Sequence, residues 1–148
     1  MALYAAMVKH IDEGIGRIVQ QLKAAGAKAL ITLTPDEEMA QLHVKDLPTI
    51  CKELDLLWFF CPIADDHEPG HDFAKGWQQA SPMVQQLLRQ GHKVAIHCKG
   101  GSGRTGLLAA QILLELGLDK TEAKSRVQSL RPYALRLQPH LDYFNKLK

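Results

Sequence analysis

The run from Lys93 to Gly106, Lys-Val-Ala-Ile-His-Cys-Lys-Gly-Gly-Ser-Gly-Arg-Thr-Gly, constrains this chain more than any other part of it. Lys93 to His97 reads as a buried strand, and the almost wholly apolar stretch Leu107 to Leu116 reads as a buried helix. Between them lies a short turn with three glycines, Gly100, Gly101 and Gly103, which lets backbone N–H groups converge without a Cβ clash. A strand, a glycine-rich turn and a helix N-terminus together form an anion cradle. The amides point inward and the helix dipole favours negative charge.

Three side chains give the cradle its chemistry. Cys98 stands at its base, where such a loop favours the thiolate, the nucleophilic form of cysteine. Arg104 lies six positions on, in the first turn of the helix, and its planar fork can grip two oxygens of a phosphate. Thr105 follows directly, so its hydroxyl can donate to the sulfur and make it a better leaving group. Cys98 as an ordinary buried strand-end cysteine would leave this arrangement of glycines, arginine and threonine without a reason.

The run resembles the signature of the cysteine-dependent protein tyrosine phosphatases, H-C-x5-R-[S/T]-G, with every fixed position filled. The resemblance implies a phosphocysteine intermediate on Cys98, a phosphate-binding loop of Lys99, Gly100, Gly101, Ser102, Gly103 and Arg104, and no metal or cofactor. It also implies that His97 bonds nearby backbone and helps to hold the thiolate; a satisfied core histidine is the alternative. Lys99 adds positive potential at the mouth of the loop, or is simply a solvated lysine.

Cleaving a phosphomonoester requires a proton for the leaving oxygen, and a positioned carboxylic acid supplies it with a gain of about 10²–10⁴-fold. The family draws this acid from a loop after a strand, roughly thirty residues before the cysteine. Here Cys61-Pro62-Ile63-Ala64-Asp65-Asp66-His67-Glu68-Pro69-Gly70 occupies that place, with Asp65 and Asp66 lying 33 and 32 residues before Cys98. Pro62-Ile63-Ala64-Asp65 is similar to the acid loop of the cyclin-dependent-kinase-associated dual-specificity phosphatases. Asp65 is therefore the expected general acid, Asp66 the second choice and Asp72 a distant third. Both neighbouring aspartates could also be plain loop carboxylates.

Leu22-Lys23-Ala24-Ala25-Gly26 with Ala29 to Thr34, and Leu130-Arg131-Pro132, extend the resemblance to small dual-specificity phosphatases from about residue 11 onward. The long tyrosine-specific domains need more chain than this. In one departure, His140 stands where related enzymes often carry a late glutamine. Gln138 lies two residues earlier and reads as an ordinary helix-start residue.

Composition is consistent with this reading. A chain of 148 residues can bury one sizeable core, so 1–148 is read as one domain. A net charge of +2, from 18 basic and 16 acidic residues, argues against a nucleic-acid or membrane-surface partner. Three cysteines, Cys51, Cys61 and Cys98, form no disulfide framework or metal pattern and suit a reducing compartment. The opening apolar run is too short for a signal peptide, and no segment approaches a membrane span. A soluble, cytoplasmic protein is expected.

Elements alternate along the chain. Ile11 to Ala25 has helical spacing with Gly26 as a stop, and Ala27 to Leu33 reads as a strand. Thr34 as N-cap and Pro35 at the first position open a second helix. A strand at Leu56 to Ile63 precedes a helical stretch from Asp72 to Gln90 that Pro82 interrupts. After the signature come Gly117 as a stop and helices at Thr121 to Leu130 and Pro139 to Leu147. The expected fold is α/β: a central, mostly parallel sheet of about four to five strands with helices on both faces. Trp58, Phe59 and Phe60 are read as core. Cys61 is read as a buried strand residue, or as a partner for Cys98 in a protective disulfide.

The leading functional expectation is a phosphatase for phosphotyrosine in proteins, with phosphoserine and phosphothreonine also within range. A phosphatase for phosphoinositides, nucleotides or RNA ends is the alternative. Lys99 points faintly toward it, while Ser102 stands where those enzymes tend to add a second positive charge. A phospho-binding module without catalysis is the alternative of another class; retention of Cys98, Arg104, Thr105 and an acid argues against it.

Overall fold

The computed structural model describes residues 3–5, 15–41, 45–99 and 103–148. In chain order its elements are β1 (Leu3–Ala5), α1 (Ile15–Ala24), β2 (Ala27–Thr32), α2 (Asp36–Gln41), α3 (Leu47–Glu53), β3 (Leu57–Phe60), α4 (His71–Arg89), β4 (Lys93–His97), α5 (Gly103–Glu115), α6 (Lys120–Leu130) and α7 (Gln138–Lys146). The strands form one parallel sheet in the order β1-β4-β2-β3. Three of them are the apolar runs read from sequence. The fourth, β1, is three residues long and falls in the opening stretch, which carries no strand pattern of its own. No fifth strand occurs among the described residues, so the upper end of the expected count does not hold.

Alternation along the strands divides the interior. Ala29, Ile31 and Leu33, with Val94 and Ile96, face a core closed by α4, α5, α6 and α7. Leu30 and Ala95 face the other way, onto Val19 and Leu22 of α1, Met39 of α2, and Leu47 and Cys51 of α3. Ala27 also joins this second core, because a register shift between Ala27 and Ala29 turns it over. Helices therefore cover both faces, as parallel strands buried on each side require.

Local departures from expectation have physical causes. α4 runs unbroken through Pro82. The ring lies on the exposed side, while Phe73, Trp77, Ala80, Val84 and Leu88 fasten the opposite face to the core on either side of it. Burial of that face outweighs the one lost backbone bond. α2 begins one residue later than expected. The carbonyl of Pro35 accepts from the Met39 N–H at 2.9 Å, so Pro35 rather than Thr34 holds the capping position, and Thr34 is buried. α3, with Pro48 in its first turn, was not anticipated. Residues 11–14 of the first expected helix lie outside the described residues. Gly26 and Gly117 adopt φ of +96° and +112°, in keeping with their reading as helix stops. Trp58, Phe59 and Phe60 are only half-buried, because β3 is an edge strand.

The glycine that ends the signature has a packing role. A Cβ on Gly106 would overlap the Cβ of Ala134 and press on Val127 of α6. Gly106→Ala is expected to lower stability by about 1–3 kcal/mol, the usual cost of overpacking, as read by urea unfolding.

Candidate active site

All the segments that build the site leave the C-terminal edge of the parallel sheet. β2 leads into α2, β3 into the loop 61–70, and β4 into the signature run and α5. This is the edge where parallel α/β sheets place their ligands. Backbone bonds carry the sheet a little further at this edge. Leu33 N–H donates to His97 O at 3.0 Å, Cys61 N–H to Thr32 O at 2.9 Å and Ile63 N–H to Leu33 O at 2.8 Å.

Cys98 follows β4 directly and is almost fully buried. The hydroxyl of Thr105, one turn into α5, donates to its sulfur across 3.1 Å. Lys99 is exposed, and Gly103 opens α5. Gly100, Gly101 and Ser102, expected in the phosphate-binding loop, lie outside the described residues.

Arg104 is only 2% exposed, yet it meets several polar partners. Nη1 donates to Glu38 Oε2 at 2.9 Å and to Ile63 O at 2.8 Å, and Nη2 donates to Glu38 Oε1 at 3.0 Å. Asp65 Oδ1 stands 3.5 Å from Nη2. Burial works against the guanidinium charge, but the bonds to Glu38 and the fields of Cys98, Glu38 and Asp65 outweigh it and raise the pKa. Both Nη1 hydrogens and one on Nη2 are thus committed. Among the described residues nothing bonds Nε–H or the second Nη2 hydrogen, adjacent on one edge of the plane, and such a fork matches two oxygens of an oxyanion. Glu38, 16% exposed, was missed as a site residue. Its only trace in the sequence was membership of the acidic first turn of a helix, which is equally a macrodipole feature.

The Nε2 of His97 meets a side chain, lying 2.8 Å from Thr32 Oγ1. The same hydroxyl accepts from Trp58 Nε1 at 2.8 Å, so its proton is available to the imidazole. Nδ1 has no hydrogen-bond partner among the described residues. Burial foremost, then the Arg104 charge, pushes the His97 pKa down to about 4.

The loop after β3 brings Asp65 to Arg104, with the carboxylate side chain 61% exposed. Asp66 takes a left-handed φ of +60°, and no ion pair joins it to Arg104. Asp72 lies in the first turn of α4 and lines a cavity of about 580 Å³ with Pro35, Phe60, Pro62 and Lys75. His140 of α7 reaches the loop, its Nε2 lying 3.0 Å from His67 O. Among the described residues the Gln138 side chain bonds within its own helix, to Asp142 Oδ1 at 2.8 Å.

Cys61 is buried and free, and burial pushes its thiol up to about 12. The end of β2 lies between it and Cys98. Two strand spacings of about 4.8 Å therefore separate their backbones. That exceeds the roughly 7 Å over which cysteines can be bridged without backbone movement. A Cys61–Cys98 disulfide does not fit this fold.

The depressed His97 pKa has a measurable consequence. An unfolded histidine titrates near 6.5, so as pH falls from about 6.5 toward 4 the unfolded chain binds a proton that the native state refuses. Stability on this account is fully present above pH 6.5 and is lost as pH falls. His97→Gln should show a loss between pH 7.0 and 4.5 that is smaller than the wild-type loss by about 2–3 kcal/mol, with urea unfolding at each pH as the check.

Residues 10–118 match the family model described as "Tc-R-P: Polymorphic toxin system, DSP-PTPase phosphatase". Cyclin-dependent kinase inhibitor 3 of Rattus norvegicus and of Homo sapiens are each 27% identical over 130 residues. The match takes in 88% of this chain and 59% of each relative. Among solved structures, kinase associated phosphatase with its catalytic-site cysteine changed to serine superposes with a TM-score of 0.85 at 20% identity, covering 97% of this chain and 84% of the other. The active form of Tk-PTP gives 0.79 at 22% identity, covering 99% and 91%. Among the described residues no helix is long and apolar enough to cross a membrane. With the family model spanning most of its length, the chain belongs to the DSP-PTPase phosphatases of the polymorphic toxin system family.

Proposed function

We propose that this protein is a cysteine-dependent phosphatase that hydrolyses phosphomonoesters through a phosphocysteine intermediate, with phosphotyrosine in proteins as its main substrate and phosphoserine or phosphothreonine within range. One observation carries the reading. Cys98 with a hydroxyl on its sulfur, an oriented guanidinium and a carboxyl group, drawn from separate segments, meet at one sheet edge. Similarity to a kinase associated phosphatase supports a phosphorylated protein as substrate. The three buried cysteines, with no disulfide among the described residues, suit a reducing cytoplasm.

In the first step the Cys98 thiolate attacks phosphorus and the ester P–O bond breaks. Asp65, in its acid form, gives its proton to the leaving oxygen. The free edge of Arg104 and the amides of the signature loop hold the equatorial oxygens, where charge spreads in the transition state. In the second step a water attacks phosphocysteine, Asp65 carboxylate takes its proton, and the S–P bond breaks. Thr105 stabilises the departing thiolate through the hydroxyl already aimed at it. Asp65 is preferred to Asp66 because it is the one paired with Arg104.

Hydrolysis of para-nitrophenyl phosphate across pH 5–8 tests this. Cys98→Ser should abolish turnover, and Asp65→Ala should lower it about 10²-fold or more, chiefly on the basic side of the optimum, while Asp66→Ala changes little. A wild type that binds a phosphopeptide without turning it over would instead mark a binding module. Glu38→Gln, which puts an amide against the Arg104 fork, should lower kcat/KM by about 10–100-fold, the equivalent of one charged hydrogen bond.

A further inference from the structure

His140 is 1% exposed, and its ring lies between two parts of the site. On one side Nε2 faces the carbonyl oxygen of His67 at 3.0 Å. A carbonyl only accepts, so Nε2 carries the proton and donates. On the other side the ring packs on Gly103, where a Cβ would stand 3.4 Å from Cε1 and 3.9 Å from Nδ1. One side chain thus packs on Gly103, the glycine just before Arg104, and holds the backbone of the acid loop. Asp65 and Asp66 from the loop and Arg104 from α5 are the charged groups that act on the ring.

The loop needs such a hold. Asp65 is largely exposed, and its carboxylate meets the protein through the 3.5 Å approach to Arg104. Its position therefore depends on the turn that carries it. That turn is closed internally by His67 N–H donating to Ala64 O at 3.1 Å and by His67 Nδ1–H donating to Asp65 O at 2.6 Å. Fixing His67 consequently fixes Asp65 two residues back. The Nδ1 of His140 has no partner among the described residues. An aliphatic side chain would fill the same space without burying an unpaired nitrogen. What the imidazole adds is the bond from Nε2.

We propose that His140 is a positioning residue whose imidazole pins the acid loop to the N-terminal turn of α5 and so sets the Asp65 carboxyl over Arg104. The proposal rests on the phosphatase reading and deepens it. It is tested with wild type, Asp65→Asn, His140→Leu, His140→Gln, His140→Asn and the Asp65→Asn/His140→Leu double variant. Each is assayed on phenyl phosphate, whose leaving group needs a proton, and on difluoromethylumbelliferyl phosphate, whose leaving group does not.

His140→Leu should lower kcat/KM, which reports the leaving-group step, on phenyl phosphate by about tenfold or more and hardly change it on the good leaving group, with vanadate inhibition intact because Arg104 is untouched. Gln, long enough to donate to His67 O, should recover most of the loss, and Asn, too short, should not. In the Asp65→Asn background the leucine should cost nothing further, as two changes acting through one group are not additive. Where His140→Leu does not fold, the Gln and Asn variants carry the same comparison. Equal losses on both substrates, or full additivity, would overturn the tether while leaving the enzyme reading in place. An inert wild type, or an Asp65→Asn variant indifferent to the leaving group, would overturn the underlying assignment instead.

Discussion

The site is organised around one buried cation. Arg104 would be costly to bury alone, since a charge taken out of water loses several kcal/mol of solvation. It is tolerated because Glu38 meets it end-on through two oxygens and the Ile63 carbonyl takes a further hydrogen. These contacts draw α2, the acid loop and α5 to one point. Breaking the pair would leave an uncompensated charge at the meeting place of three segments, and so would disturb all of them. The same contacts decide which edge of the guanidinium stays free, so the residue that satisfies the arginine also aims it.

That convergence follows from topology. In an all-parallel sheet every strand ends at the same edge, so β2, β3 and β4 deliver their following loops to neighbouring places although the chain visits them far apart. The order β1-β4-β2-β3 sets β4 beside β2 and leaves β3 on the outside. Cys98 therefore emerges from a central strand walled by helices, and Asp65 follows the edge strand. This arrangement also keeps Cys61 one full strand away from contact with Cys98, and so removes the disulfide that their types alone suggested.

Local patterns made much of this legible in the sequence. The strands β2, β3 and β4 were visible as apolar runs, and α5 as the apolar helix after the glycine run, because each depends on residues close in sequence. Asp65 is singled out by its loop, and the structure puts its carboxylate 3.5 Å from Arg104. Glu38 was not found. Its partner is 66 residues away, and an acidic helix start looks the same whether or not it grips an arginine. Pro82 misled for a related reason: propensity sees a broken helix, while the apolar face of α4 on both sides of the ring decides otherwise. His140 was visible only as a departure from a resemblance. Its meaning needed the third dimension, which puts α7 against both the acid loop and Gly103.

Exposure divides the labour among the groups. Cys98, Arg104 and Thr105 are buried, held by the sheet and by α5, and the anion they would receive has a fixed place. Asp65 stands mostly in water on a loop, where its side chain is reachable from outside. A group that must first donate and then accept a proton benefits from that access, because it meets both the leaving oxygen and the incoming water. The cost is that packing cannot hold it. Its geometry has to come from the backbone beneath it, and the turn closed by His67 and tied to His140 is where the fold provides it. On the proposed mechanism rigidity is thus placed in Cys98, Arg104 and Thr105, and Asp65 is steadied indirectly, through main-chain bonds that leave its carboxyl group open.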